Sequence, residues 1–405
     1  MSRVFDPFQL HLDDPYPFWR EVRREEPVFF AENINAWCVT RYDDIMQVQR
    51  DPVTFSSREL LRRPVGLPAE ADAIMAFWFD DPVAVSVLDP PEHGPMRRYL
   101  NSRFTPAAIE RCGPKLRALI DGVVAGLECA DDGTVDLVAD FTTRTPLLAI
   151  MTVLGMDISC IDSYQVWVEE LLAIFVSHSQ LSEQTLIEYA GRQRDYIEAV
   201  RTLVADRRAN PEDDLISYLV EQGPNGQTLP DDNLVMQIMT VLSAGWDTTS
   251  KALSNILYEL LRQPGLWPEL AAGRLDVANV VNEGLRHTSS VIGMFRVATR
   301  DVQLGDVTIP QGSYLMLNYA SAGRDESKYD EPDVFDPRRV TSTPLLTFGN
   351  GIHYCLGAPL ARLEMKLALE SLARRFPNLA LQPGWEPRFR TSMQFRGLDN
   401  LVVRP

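Results

Sequence analysis

Cys355 is the residue whose neighbours most suggest chemistry. It sits in TFGNGIHYCLGAPLARLE, from Thr347 to Glu364. Gly349, Gly351 and Gly357 surround it, and glycine lets a bulky partner approach the backbone closely. Leu360, Leu363 and Leu367 then share one helix face, so the sulfur stands at a helix N-terminus. The helix dipole and its aligned N–H groups there favour thiolate over thiol. A thiolate beside open space is a nucleophile or a metal ligand. A nucleophile needs a general base, and the local candidate, His353, has no evident orienting partner. More plainly, many free cysteines are small buried hydrophobes.

A second unusual stretch is Ala244-Gly245-Trp246-Asp247-Thr248-Thr249-Ser250. It lies midway along a helical pattern from Asp231 to Gln263, where strong helix formers are expected. Local rule-breaking inside a buried element marks function or close packing, with Thr hydroxyls bonded back to the preceding turn. Further on, Glu283 and Arg286 are spaced to share a helix face, an arrangement that is usually a solvated surface pair.

These residues need a scaffold. From about Pro106 to Leu270 the pattern is amphipathic and helical, and the long helix should cross the protein's middle. Short strand-like runs, PVFFAE and AWCVTR, precede that region. VQLGDVTIPQGSYLMLNY alternates and reads as a small antiparallel sheet. The irregular stretch ASAGRDESKYDEPDVFDPRRVTSTPLL is long enough to be functional or to cover something. No linker divides the chain. The expectation is one mainly α domain over 1–405. Its helix-rich core spans about 90–285 and 355–376, and its β-rich portions about 28–56, 290–345 and 378–405.

Phe348-Gly349-x-Gly351-x-His353-x-Cys355-x-Gly357 resembles the haem-binding loop of the cytochrome P450 superfamily. The resemblance runs over nearly the whole chain, from PYPFWREVRREEPV to RGLDNLVV, and is to the soluble bacterial type. It implies the cytochrome P450 fold, a large helical domain with a smaller β-rich portion. It implies haem b with Cys355 as the axial thiolate, which favours O–O cleavage. Phe348, Gly349 and Gly357 would contact the macrocycle, and His353 would bind a propionate. Ala-Gly-x-Asp-Thr-Thr is similar to the family's oxygen-binding groove, where the helix opens by one backbone hydrogen bond. Ala244 would then lie over the haem, Thr248 would hydrogen-bond the oxygen, and Asp247 would relay protons from solvent. Arg296 matches the propionate ligand of Arg-x-Ala-x-x-Asp, while His93 and Arg97 match a second pair. Glu283, Arg286 and Arg339 would form the family's structural cluster. Two positions depart from the usual pattern: Ser290 stands where proline is common, and Gly323 where asparagine is usual.

Positions matching the family's substrate contacts are Ser243, Val291, Ile292, Met294, Met393 and Gln394. The loop before His93, with Phe77, Trp78 and Phe79, would add to them. This set is mostly apolar, so a medium-sized apolar organic substrate is expected, in secondary metabolism or catabolism. The implied reaction is hydroxylation or epoxidation by a monooxygenase. O2 is the co-substrate, and electrons come from NAD(P)H through a reductase and a ferredoxin or flavodoxin. Phenol coupling, nitration, desaturation, peroxygenation and a non-enzymatic haem sensor stay open. Arg98, Arg103, Lys366 and Arg374 suggest a basic patch for an acidic electron donor.

Whole-chain properties limit the alternatives. The 405 residues are 45% hydrophobic, ample for a large core. A net charge of −17 disfavours nucleic acid and anionic membrane. MSRVFDPFQLHLDDPYPFW has no signal peptide's apolar run and no anchor. Five scattered cysteines without CxxC spacing argue against disulfides and zinc and for a reducing cytoplasm. A monomer is expected.

Overall fold

The computed structural model describes residues 4–6, 13–60, 63–221 and 223–405. The N-terminal stretch scanned for a leader lies partly outside them. Helices dominate, and local chemistry sets many of their ends. Thr105 caps Pro106–Ala125 by accepting from the Ala108 N–H at 3.2 Å. Ser182 caps Glu183–Ala209 through Thr185, and Asp276 caps Val277–His287 through Ala278. Gly155, at φ 85°, closes Arg144–Leu154 with the left-handed conformation that glycine adopts without cost.

The central helix, Asp231–Arg262, is 32 residues long. At 1.5 Å per residue it spans about 48 Å, enough to cross the protein. Asp231 and Asp232 lie in its first turn and Arg262 in its last, each matching the dipole. It packs against Arg144–Leu154 and Glu183–Ala209. Apolar residues of the long helical region and of Ala358–Arg375 form the largest buried cluster. No helix among the described residues is long and apolar enough to cross a membrane.

The β structure is more dispersed than the sequence suggests. A five-stranded sheet runs in the order Val28–Ala31, Ala36–Val39, Tyr314–Asn318, Gly293–Ala298, Phe55–Ser56. Ala36–Val39 and Tyr314–Asn318 pair in parallel, with Trp37 opposite Leu315. The expected sheet over VQLGDVTIPQGSYLMLNY is therefore split. Val302–Leu304 and Val307–Ile309 form a separate hairpin, while Tyr314–Asn318 joins the larger sheet. Val135–Asp136, inside the helix-rich stretch, pairs with Val402–Arg404 near the C-terminus. The long irregular stretch opens on a short helix, Tyr319–Ala322.

Glu364 lies on the buried face of Ala358–Arg375 and is 2% exposed. Neither carboxylate oxygen has a hydrogen-bond partner. Burial raises its pKa well above the ordinary value of 4.5. A folded chain that keeps this proton loses stability, relative to the unfolded chain, as pH rises from 4.5 toward the raised value. Glu364→Gln removes that dependence. The variant is expected to melt higher than the parent at neutral pH, and the gap should close as pH falls toward 4.5. Its slope cannot exceed about 1.4 kcal/mol per pH unit. Melting curves of both proteins across pH check this, and parallel curves would contradict it.

Candidate active site

Two short 3-10 turns, Leu346–Phe348 and Gly351–His353, fold the cysteine loop onto the start of Ala358–Arg375. The Cys355 N–H donates to the Phe348 carbonyl at 2.8 Å. Cys355 is half-buried. Burial is the largest influence on its thiol and pushes the pKa up. N–H groups of Gly357 and Ala358, with the Arg97 and Arg362 guanidinium groups, pull it down. The expected preference for thiolate is thus outweighed by desolvation, and a cation at the sulfur is needed to restore it. The glycines also differ in purpose. Gly349 and Gly351 take positive φ, and a side chain on Gly351 would strike the Gln49 carbonyl. Gly357 opens instead toward the Cys355 sulfur, 4.0 Å from where its Cβ would stand.

Beside the sulfur lies a group of basic side chains distant in sequence. The His93 and His353 rings are 4.4 Å apart. Nε2 of each is buried without a partner. Arg97 comes from the helix His93–Asn101 and Arg296 from the strand Gly293–Ala298. Arg296 donates to the Phe295 carbonyl at 2.6 Å. Among the described residues neither arginine has a carboxylate partner. Desolvation, then Arg296, His93 and Arg97, push His353 down to about 3. Desolvation and Arg97 likewise lower His93, while the nearby Asp89 accepts from Ser56 and Ser57. Arg296, buried, and Arg97, half-buried, are costly without carboxylate partners unless an anionic ligand meets them.

Ala244 is exposed although Ser243 and Trp246 beside it on the central helix are buried, so this face borders open space. Thr248 Oγ1 donates to the Ala244 carbonyl at 2.8 Å. Asp247 is paired with Lys251 one turn on, and its side chain is 17% exposed. The helix is α-helical throughout, so the expected opening is not present. Gly245 packs closely on Ile150, whose Cγ1 would lie 3.0 Å from an added Cβ. The Trp246 indole N–H donates to the Thr143 carbonyl at 2.7 Å, behind the groove.

The Glu283–Arg286 pair is buried, not a solvated surface pair. Arg286 Nε donates to Glu283 Oε2 and its terminal nitrogen to Oε1, both at 2.7 Å. Arg339 Nε reaches Glu283 Oε1 at 3.2 Å. Gly323 has a reason: a side chain there would strike the Arg286 carbonyl.

Of the expected pocket residues, Val291 bridges to Phe395, Ile292 N–H donates to the Gln394 carbonyl at 2.7 Å, and Gln394 Nε2 donates to Met294 Sδ at 3.4 Å. Met393 lies in the same turn, and it and Ile292 both pack with the core cluster that holds Trp19 and Phe29. Ser243 donates to the Met239 carbonyl at 2.8 Å. Phe77, Trp78 and Phe79 are not in a loop but end the helix Ala69–Phe79, where Trp78 and Phe79 pack on Phe175. The basic patch is also not four free cations. Arg103 stacks over Tyr218, Lys366 is 4.0 Å from Glu370, and Arg374 is 3.5 Å from Asp121.

The sequence model of one family, Cytochrome P450, matches residues 158–271 and 277–396. The chain belongs to the cytochrome P450 family. A putative cytochrome P450 of Bacillus subtilis is 32% identical over 90% of this chain and 88% of its own length. A cyclomarin C epoxidase of Salinispora arenicola is 34% identical over 89% and 88%. The structure of cytochrome P450 CREJ with (4-ethylphenyl) dihydrogen phosphate superposes with a TM-score of 0.91. It is 33% identical and covers 99% of this chain and 98% of its own. The fold is therefore the P450 fold, and membership implies a haem-thiolate monooxygenase that uses O2. The residues fit haem: one sulfur at a helix start, and beside it two arginines without carboxylate partners and two histidines with unpartnered ring nitrogens, where two propionates would go.

Sequence reasoning missed Lys251, although its i+4 spacing from Asp247 is a legible ion-pair signal. It also missed Arg362, which stacks 4.3 Å over Phe348 and for which no local signal exists.

Proposed function

We propose that this P450 inserts one oxygen atom from O2 into a medium-sized, largely apolar organic substrate, by hydroxylation or epoxidation. The cluster beside Cys355 carries the reading, because its two arginines have no carboxylate partner and each histidine keeps a buried ring nitrogen without a partner. Cys355 would hold haem b from one side. His93, Arg97, Arg296 and His353 would hold its propionates, and Ala244, Phe348, Gly349 and Gly357 would contact the ring. Bound haem supplies the oxygen-activating redox chemistry. Asp247, partly exposed and held by Lys251, takes protons from water. The Thr248 hydroxyl, resting on the Ala244 carbonyl, turns to offer a proton on the open side. Glu283, Arg286 and Arg339 keep the polypeptide behind the loop in place.

Ser243, Val291, Ile292, Met294, Met393 and Gln394 would line the substrate side. The names of the relatives span an epoxidase of cyclomarin C, an aryl phosphate complex and a testosterone complex, which supports organic substrates as a class and no single one. Electrons would come from NAD(P)H through a reductase and a ferredoxin or flavodoxin. The five unpaired cysteines support a reducing cytoplasm. We place the whole chain in one domain, acting as a monomer.

The test is the absorption spectrum of the ferric protein titrated with terpenoids, steroids, aromatics and macrolides. One class should move the haem band from low to high spin, and a protein that binds no haem would refute the reading. With that compound, Thr248→Ala is expected to divert at least about tenfold more reducing equivalents to peroxide, the scale of losing one positioned proton donor. Product and peroxide per NAD(P)H check it, and unchanged coupling would remove Thr248 from the mechanism.

A further inference from the structure

The geometry points to Ser290 as a positioning residue that holds the Thr248 backbone while the Thr248 side chain turns. The inference rests on the proposed role of Thr248. Ser290 is 3% exposed, and its Oγ donates to the Thr248 carbonyl at 2.9 Å. Its neighbours each make a local bond, and Ser289 also meets Thr347 in the cysteine loop. Thr288 Oγ1 donates to the Gly284 carbonyl, the usual back-bond, and Ser289 Oγ to the Val291 carbonyl. Of the three, Ser290 is the one whose hydroxyl reaches the central helix, at the residue proposed to deliver protons.

The segment around it is braced on both sides. The Ser290 carbonyl accepts from the Arg396 N–H at 2.8 Å. Ser289 Oγ lies 2.7 Å from Thr347 Oγ1 in the cysteine loop. Asn255, two turns along the central helix from Thr248, donates to the carbonyls of Thr288 and Arg396 at 3.2 Å each. One short stretch therefore ties the helix bearing Thr248 to the loop bearing Cys355. A helix carbonyl has two lone pairs, so Thr248 can accept from Ser290 and keep its helical bond. The Thr248 hydroxyl must leave the Ala244 carbonyl before it can donate elsewhere. With its peptide held from the side, that change is confined to a χ1 rotation. A proline at this position would have no hydroxyl and could not make this bond.

The test uses haem-loaded protein with carbon monoxide as the distal probe, so it needs no known substrate. In Ser290→Ala the infrared stretching band of bound CO should shift or broaden. Amides 248–252 should exchange with deuterium about fivefold faster, the factor for one lost hydrogen bond, while the turn after Asn255 is unchanged. Ser290→Thr, which keeps the hydroxyl, should restore both. Thr248→Ala should move the CO band as well. If Thr248→Ala moves it and Ser290→Ala does not, the inference about Ser290 is wrong and the reading of Thr248 stands. If neither moves it, both fall. A lower melting temperature for Ser290→Ala with an unchanged CO band marks Ser290 as structural only and overturns the inference.

Discussion

Cys355→Ala abolishes the red-shifted, thiolate-type band of the ferrous–CO complex and takes substrate oxidation below detection. No other cysteine can replace it: Cys38 is buried in the core, and Cys112, Cys129 and Cys160 lie outside the loop. The polypeptide should stay folded. The loop is held by backbone bonds such as Cys355 N–H to Phe348 carbonyl, which alanine preserves, and the helix after it begins at Ala358. The far-ultraviolet circular dichroism spectrum should match the parent while the CO band is lost. A variant that keeps a thiolate-type band would place the ligand elsewhere and undo the account of the site.

Arg286→Ala is expected to prevent accumulation of folded protein. Arg286 is 2% exposed and makes five hydrogen bonds, to both Glu283 oxygens and to the carbonyls of Gly323, Pro332 and Val334. Its loss leaves Glu283 with Arg339 as its remaining cation and the Gly323 and Pro332 carbonyls without their donor, while Val334 keeps its bond from Arg339. Removing one partner of a buried pair costs about 3–5 kcal/mol, a large share of the stability of a typical domain. Arg286→Lys should fail too, because a point charge cannot span these acceptors as the planar fork does. Soluble yield and melting temperature report the result. A variant melting within a few degrees of the parent would show that the cluster is dispensable.

Legibility in the sequence followed the range of each interaction. The cysteine loop and the odd centre of Asp231–Arg262 were visible because their glycines, cysteine and polar run lie within a few residues of one another. Glu283–Arg286 was visible as a spacing, but its burial depends on carbonyls of 323, 332 and 334, which no helical pattern announces. The cradle of His93, Arg97, Arg296 and His353 spans over two hundred residues of chain, and only resemblance to a family could assemble it. The same limit explains the sheet. Trp37 opposite Leu315 is a parallel pairing across most of the protein, so local alternation could mark both strands but not their partnership. The Cys355 thiol shows the same limit in its electrostatics. The helix N-terminus is a local signal, whereas the burial that outweighs it belongs to the whole fold.

The most direct test is the difference spectrum of the purified, reduced protein with and without carbon monoxide. A haem held by the Cys355 thiolate predicts the red-shifted Soret band that distinguishes sulfur from nitrogen ligation. A band of the imidazole type, or no haem band at all, would contradict the central claim that this loop presents its sulfur to haem iron.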